Sequence, residues 1–160
     1  MAAFDPLKDH SSLGESYIAV CGLSSPRLDH ATSALAWTRT ASLAVQRLGD
    51  AWVRNVSLRF GLASGEIDVL LMERGHTAYD IWGRTLSICR LIAVQAERGC
   101  VRLSDSTYKL LTDVDGFEPC PAIVTEAFGA VKSWSRPAVE KVVADLAVRP
   151  EVQFAPSPTE

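Results

Sequence analysis

The sequence predicts an α+β domain in which helices pack on a mostly antiparallel sheet. Three observations carry this expectation: short runs of strand formers set between glycines, two long stretches with apolar residues at helical spacing, and their order of strand, helix, hairpin, helix, strand. The 160 residues are 48% hydrophobic and 22% charged, which suits a globular core and excludes the polar, highly charged composition of disorder. A chain of this length buries about 70% of the surface it would expose unfolded, so one domain suffices.

Residues 1–12, with Pro6 and the Ser11-Ser12 pair, follow neither the strand nor the helix period and read as an irregular lead-in. Residues 13–149 form the expected domain, and the Pro-containing residues 150–160 a flexible tail. Tyr17 to Cys21 is rich in strand formers and lies between Gly14 and Gly22, so a strand is expected there. Asp29 stands where a helix N-cap belongs, ahead of Ala34, Trp37, Ala41, Val45 and Leu48 at helical spacing, with Gly49 as a stop. Asn55 to Phe60 and Ile67 to Met72 favour extended structure, joined through Ala63-Ser64-Gly65 as a hairpin or sharp bend.

Tyr79 to Glu97 returns to helical period, with Trp82, Leu86, Cys89, Ala93 and Ala96 on one stripe and Gly99 as terminator. Trp37 and Trp82 fall on these apolar stripes and read as core anchors. Val101 to Leu103 is a strand, Ser104 caps a short helix through Leu111, and Ala122 to Val124 with Ala130 to Trp134 make a final strand pair. Val139, Val142, Val143 and Leu146 give a last amphipathic helix.

Charge and cysteine spacing exclude several classes. The net charge is -3 and the 16 basic residues are scattered, so no nucleic-acid footprint is present. Apolar runs fall far short of the roughly 20 residues that span a bilayer. The first ten residues lack the apolar core of a secretory signal. Cys21, Cys89, Cys100 and Cys120 show no metal or redox spacing and read as reduced, mostly buried thiols, which points to a cytoplasmic location. His10, His30 and His76 stand far apart, without partners at metal-ligand spacing.

Three stretches carry a resemblance: Leu13 to Leu23, reading LGESYIAVCGL; Arg59 to Gly65, reading RFGLASG; and Tyr79 to Thr85, reading YDIWGRT. With Asp29-His30-Ala31 between the first two and Ser104 to Tyr108 after the third, residues 13–134 resemble the class III adenylyl and guanylyl cyclases. The resemblance implies a ferredoxin-like, nucleotide-cyclase-type fold that lacks the family's opening strand. It also implies head-to-tail dimers, homodimeric or heterodimeric with another cyclase-type domain, with ATP in the cleft between subunits. The ribose 3′ oxygen there attacks the α-phosphate and pyrophosphate leaves. Such phosphoryl transfer needs Mg or Mn ions and a cation at the reacting phosphorus.

Carried over residue by residue, the resemblance gives an incomplete site. The loop with the first metal aspartate has no counterpart here. Glu15 stands at the second metal aspartate, keeping a hard oxygen ligand on a longer arm, or else is a solvated acid at a strand entry. Asp80 matches the adenine-recognising aspartate, or else caps a helix, while Ser11 stands where its partner lysine is expected. Ser87 occupies the position of the ribose-orienting asparagine and Leu91 that of the transition-state arginine. Arg90, the neighbouring cation, is rotated about 100° around the helix from that direction, so it reads first as a plain surface residue and only otherwise as a substitute for that arginine.

Losing such a preorganised contact costs about 3–4 kcal/mol of transition-state stabilisation. The expectation is therefore a catalytically impaired cyclase-like domain that acts as a dimerising or regulatory module in cyclic-nucleotide signalling. The alternatives are an adenylyl cyclase completed by a heterodimeric partner, and an α+β scaffold that has lost its nucleotide cleft. Without the opening strand, two rows of backbone groups would lack partners. Residues 1–12, the helix around Val142 or a second copy of the chain is expected to cover them.

Overall fold

The computed structural model describes residues 16–23, 25–52, 56–73 and 77–139. Glu15, Ser11, the lead-in, the helix expected around Val142 and the tail lie outside the described residues. In chain order the elements are α1 (His30–Trp52), β1 (Phe60–Leu62), β2 (Asp68–Glu73), β3 (Thr77–Trp82), α2 (Arg84–Gln95), β4 (Cys100–Ser104), α3 (Asp105–Tyr108), β5 (Glu118–Thr125) and β6 (Gly129–Pro137).

One sheet has the order β1-β4-β6-β5, in which β1 runs parallel to β4 and the other pairings are antiparallel; β2 and β3 form a separate antiparallel hairpin. This is the expected α+β architecture. Strand β4 is its centre. Val101 and Leu103 on one face and Arg102 and Ser104 on the other are all buried, as a strand covered on both sides requires. Phe60, Val101, Leu103 and Phe117 make the buried core, with Leu35, Trp37 and Ala41 of α1 packed against it.

Arg102 is a buried cation met by neutral acceptors. Its Nε donates to Ser133 Oγ at 2.9 Å, Nη1 to the Gln95 carbonyl at 2.9 Å and Nη2 to the Pro121 carbonyl at 3.1 Å. The Gln95 carbonyl ends α2, so the negative end of that helix faces the guanidinium. The side chain thus ties α2 to β5 and β6 across β4.

Strand and helix meet most closely at Gly61. A Cβ there would lie 2.5 Å from both the Ala93 nitrogen and the Cys89 carbonyl oxygen, so only glycine lets α2 settle on β1. The Cys89 thiol donates to the Gly61 carbonyl at 3.1 Å, and burial pushes its pKa up. The four cysteines are thiols of intermediate burial.

Several expectations are corrected. Tyr17 to Cys21 forms no strand beyond a single bridge at Val20. Tyr17 instead stacks on Trp37 of α1 at 6.0 Å, and Trp37 meets Phe60 edge-on at 6.3 Å. Helix α1 runs past Gly49, and its buried positions include Thr38 and Ser42, while Leu48 is largely exposed. Strands β1 and β2 do not pair with each other, so Ala63-Ser64-Gly65 is a bend and the hairpin is the next one along.

The expected helix over Tyr79 to Glu97 divides into β3 and α2. Tyr79, Ile81 and Trp82 are strand formers, and Ile81 pairs with Val69 in the β2 ladder. Gly83 has φ 118°, a backbone state that a helix cannot contain, and it marks the switch. Trp82 shares the spacing of Leu86 and Cys89 by coincidence. It is 46% exposed, not a core anchor.

Candidate functional site

Two clefts flank the start of α2. The larger, about 570 Å³, lies between Ile18–Leu23, the start of α1, the end of β1 and the β2–β3 hairpin. Its walls are mainly apolar, among them Leu62, Ile67, Ile81 and Leu86. Arg27 at its mouth is engaged by Asp29, with Nη2 to Oδ2 at 2.7 Å and Nε to Oδ1 at 2.9 Å. The Arg27 guanidinium and the Ser33 hydroxyl, 3.1 Å away, hold the Asp29 carboxyl down at about 2. Asp29 thus stands immediately ahead of α1 as expected, with its carboxylate engaged by the Arg27 and Ser33 side chains. His30 Nδ1 donates to the Arg27 carbonyl at 2.8 Å and fixes the same corner.

The smaller cleft, about 170 Å³, is polar. Ser64, Arg84, Thr85, Ser104, Asp105, Ser106 and Lys132 line it, with the Phe128 ring at its edge. Ser104 caps α3 as expected by accepting from the Thr107 amide at 3.2 Å, although α3 ends at Tyr108 rather than Leu111. Its hydroxyl also meets Ser106 Oγ at 2.8 Å and Thr107 Oγ1 at 2.9 Å. Ser106 then donates to the Ser64 carbonyl at 2.8 Å and Thr107 to Ser64 Oγ at 3.2 Å. This hydroxyl network pins the bend after β1 to α3 and forms the wall between the two clefts.

The residues singled out from sequence lie elsewhere. Asp80 sits in β3 opposite Leu70, and Trp82 opposite Asp68; all four are exposed on the outward face of the hairpin. Ser87 and Arg90 are exposed on α2, while Leu91 is half-buried. Ser87 Oγ donates to the Gly83 carbonyl at 3.2 Å, so its proton is held by its own helix. None of Asp80, Ser87 and Arg90 lines either cleft. Asp80 is a strand residue, which removes the helix-cap reading. Among the described residues, no group of three or more His, Cys, Asp or Glu side chains could hold a metal ion, and Glu15 lies outside them.

Residues 5–129 match the Adenylate and Guanylate cyclase catalytic domain. The chain belongs to this family. Adenylate cyclases of Mycobacterium tuberculosis and Mycobacterium bovis are 26% identical to this cyclase-type domain over 139 residues, 83% of the chain and 31% of theirs. Adenylyl cyclase X E of Drosophila melanogaster is 28% identical over 106 residues, 66% of the chain and 9% of its own length. The chain therefore spans 31% or less of the length of these curated relatives.

Among solved structures, the catalytic core of a rhodopsin-guanylyl cyclase with converted specificity, in complex with ATPalphaS, superposes with a TM-score of 0.68 at 18% identity, covering 85% of this chain and 72% of that one. The adenylyl cyclase CyaB from P. aeruginosa gives 0.62 at 19% identity, covering 74% and 64%. These likenesses establish the cyclase fold. Among the described residues, no helix is long and apolar enough to cross a membrane.

Sequence reading missed the polar cleft. Arg84 and Lys132 lie far apart in the chain and border one cleft only once α2 packs on β1 and β4. The one signal available was the hydroxyl-rich Ser104 to Thr107 run, read as a helix cap.

Proposed function

We propose that this cyclase-type domain has impaired turnover and serves as a dimerising or regulatory module in cyclic-nucleotide signalling. The observation that carries the reading is Leu91. It is half-buried on α2 where the resemblance implies a cation for the reacting phosphorus, and leucine offsets no phosphate charge. Ser87 supports the same reading, because a hydroxyl bonded to Gly83 is a weak substitute for a ribose-orienting amide. The outward face of the hairpin supports a partner. Leu70 and Trp82 are 49% and 46% exposed there, with Asp80 beside them. The partner is a second copy or another cyclase-type domain, and ATP the nucleotide, with Asp80 accepting from the adenine edge.

A second reading is favoured by the exposure of Asp80 itself. An adenylyl cyclase, converting ATP to cyclic AMP and pyrophosphate, would form in a heterodimer whose partner supplies the missing metal aspartate and arginine. Mg or Mn would then activate the ribose oxygen, with Glu15 the residue of this chain to contribute a ligand. The test is cyclic AMP production from ATP with manganese by the purified chain, alone and mixed with an active cyclase domain, beside an Asp80→Ala control. The proposal expects ATP binding without turnover by the chain alone. Turnover that Asp80→Ala abolishes contradicts it, and turnover only in the mixture selects the second reading. Failure to bind ATP at all leaves a scaffold.

A further inference from the structure

Strand β1 has β4 on one edge and, among the described residues, no strand on the other. The hydrogen-bond pattern identifies the groups on that open edge. The Ala138 amide donates to the Gly99 carbonyl at 2.9 Å, and antiparallel pairs alternate, so Val101 and Leu103 also turn their backbone groups to β6. Cys100, Arg102 and Ser104 therefore turn theirs to β1, where the parallel register bonds them to Phe60 and Leu62. Gly61 then points its N–H and C=O away from the sheet. Cys89 agrees with this, since its thiol donates to that carbonyl at 3.1 Å and also bonds the Ala63 backbone.

The larger cleft, about 570 Å³, opens on this edge. Gly61 to Gly65 form one wall and Ile18 to Leu23 another, with Ala31 and Ala34 of α1 and Leu86 and Cys89 of α2 closing the sides. Helix α1 packs on the sheet face of Phe60 and Leu103, and α2 on the face of Gly61. The cleft is thus a slot at the level of the sheet, between two helix layers. Arg27 in its lining is already neutralised by Asp29.

We propose that this slot takes an extended apolar segment of a second polypeptide as an added strand. The backbone groups of Gly61 and Ala63 supply its hydrogen bonds, as an open strand edge does. A thiol is a weak donor, so a strand amide outcompetes Cys89 for the Gly61 carbonyl. Helices on both sides demand apolar side chains on both faces of the added strand, over a length of about five residues. The chain's own lead-in suits the slot badly. Its apolar run is Ala2-Ala3-Phe4, and Lys8, Asp9 and His10 follow, which are costly to bury between two helices. Neither Asp80 nor a nucleotide enters this inference.

Fluorescence anisotropy of the full chain with a labelled peptide of five alternating valines and isoleucines, flanked by lysines, tests it. Saturable binding is expected, and a central proline in the peptide should weaken it about tenfold or more, because proline removes a ladder donor. Amide exchange followed by NMR gives a readout on the unaltered protein. The peptide should slow exchange at Gly61 about tenfold or more and leave Val101, already bonded to β6, unchanged. Ala34→Trp, which fills the slot from α1, should weaken binding about tenfold or more, whereas Leu70→Asp on the outward hairpin face should leave it intact. Failure of the hairpin interface is therefore distinguishable from failure here. Binding that tolerates the proline, or that leaves Gly61 exchange unchanged, overturns the proposal. Absence of binding by the full chain also overturns it, and binding that then emerges on removal of residues 1–12 assigns the slot to the chain's own lead-in.

Discussion

The four-stranded sheet and the β2–β3 hairpin draw on similarly apolar sequence but treat it differently. In the sheet, Val101 and Leu103 are fully buried, and helices cover β4 on both faces. On the outward face of the hairpin, Leu70 and Trp82 stay about half exposed, with Asp68 and Asp80 between them. The first region is completed by its own chain. The second carries apolar surface that nothing among the described residues covers, next to the residue that the family resemblance ties to the nucleotide.

If that contrast is right, equal truncations should have unequal effects. Leu103→Ala should lower unfolding stability by about 2–5 kcal/mol in urea titration, since it opens a cavity in the core. Leu70→Ala should change monomer stability by less than about 0.5 kcal/mol. Gly61→Ala should cost about 1–3 kcal/mol, because its Cβ meets α2 backbone, which cannot rotate away as a side chain could. Ser104→Ala should cost about 1 kcal/mol through the lost cap of α3, read by the same titration.

The smallest effect concerns Asp29. Its carboxyl is lowered from 3.8 to about 2 by Arg27 and Ser33, so its contribution is present above pH 3.8 and is lost as pH falls towards 2. Thermal melts of the wild type should show this slight acid loss, and Asp29→Asn should lack it. Since Asp29 is exposed, the effect stays small.

The parts of the fold legible in sequence are those fixed locally. Helix α1, strand β4, the Ser104 cap and the β5–β6 pair follow from period, propensity and turn chemistry within a few residues. What escaped depends on partners distant in the chain. Tyr79 to Trp82 became a strand because β2 offered a ladder, which outweighed a helical spacing that Trp82 shared with Leu86 only by chance. Tyr17 to Cys21 had strand composition but gained only a bridge at Val20. The motif around Asp80 stood out because it is contiguous, but the fold puts Asp80 outside both clefts. The Arg84 and Lys132 cleft was not legible, because packing alone brings it together.

The central claim is that the outward hairpin face is completed by a second cyclase-type domain. Sedimentation velocity over a range of concentrations tests it most directly, comparing the wild type with a Leu70→Asp, Trp82→Asp double variant. The account predicts a reversible dimer for the wild type and a folded monomer for the variant. A wild type that stays monomeric at every concentration, or a variant that dimerises as well as the wild type, would contradict it.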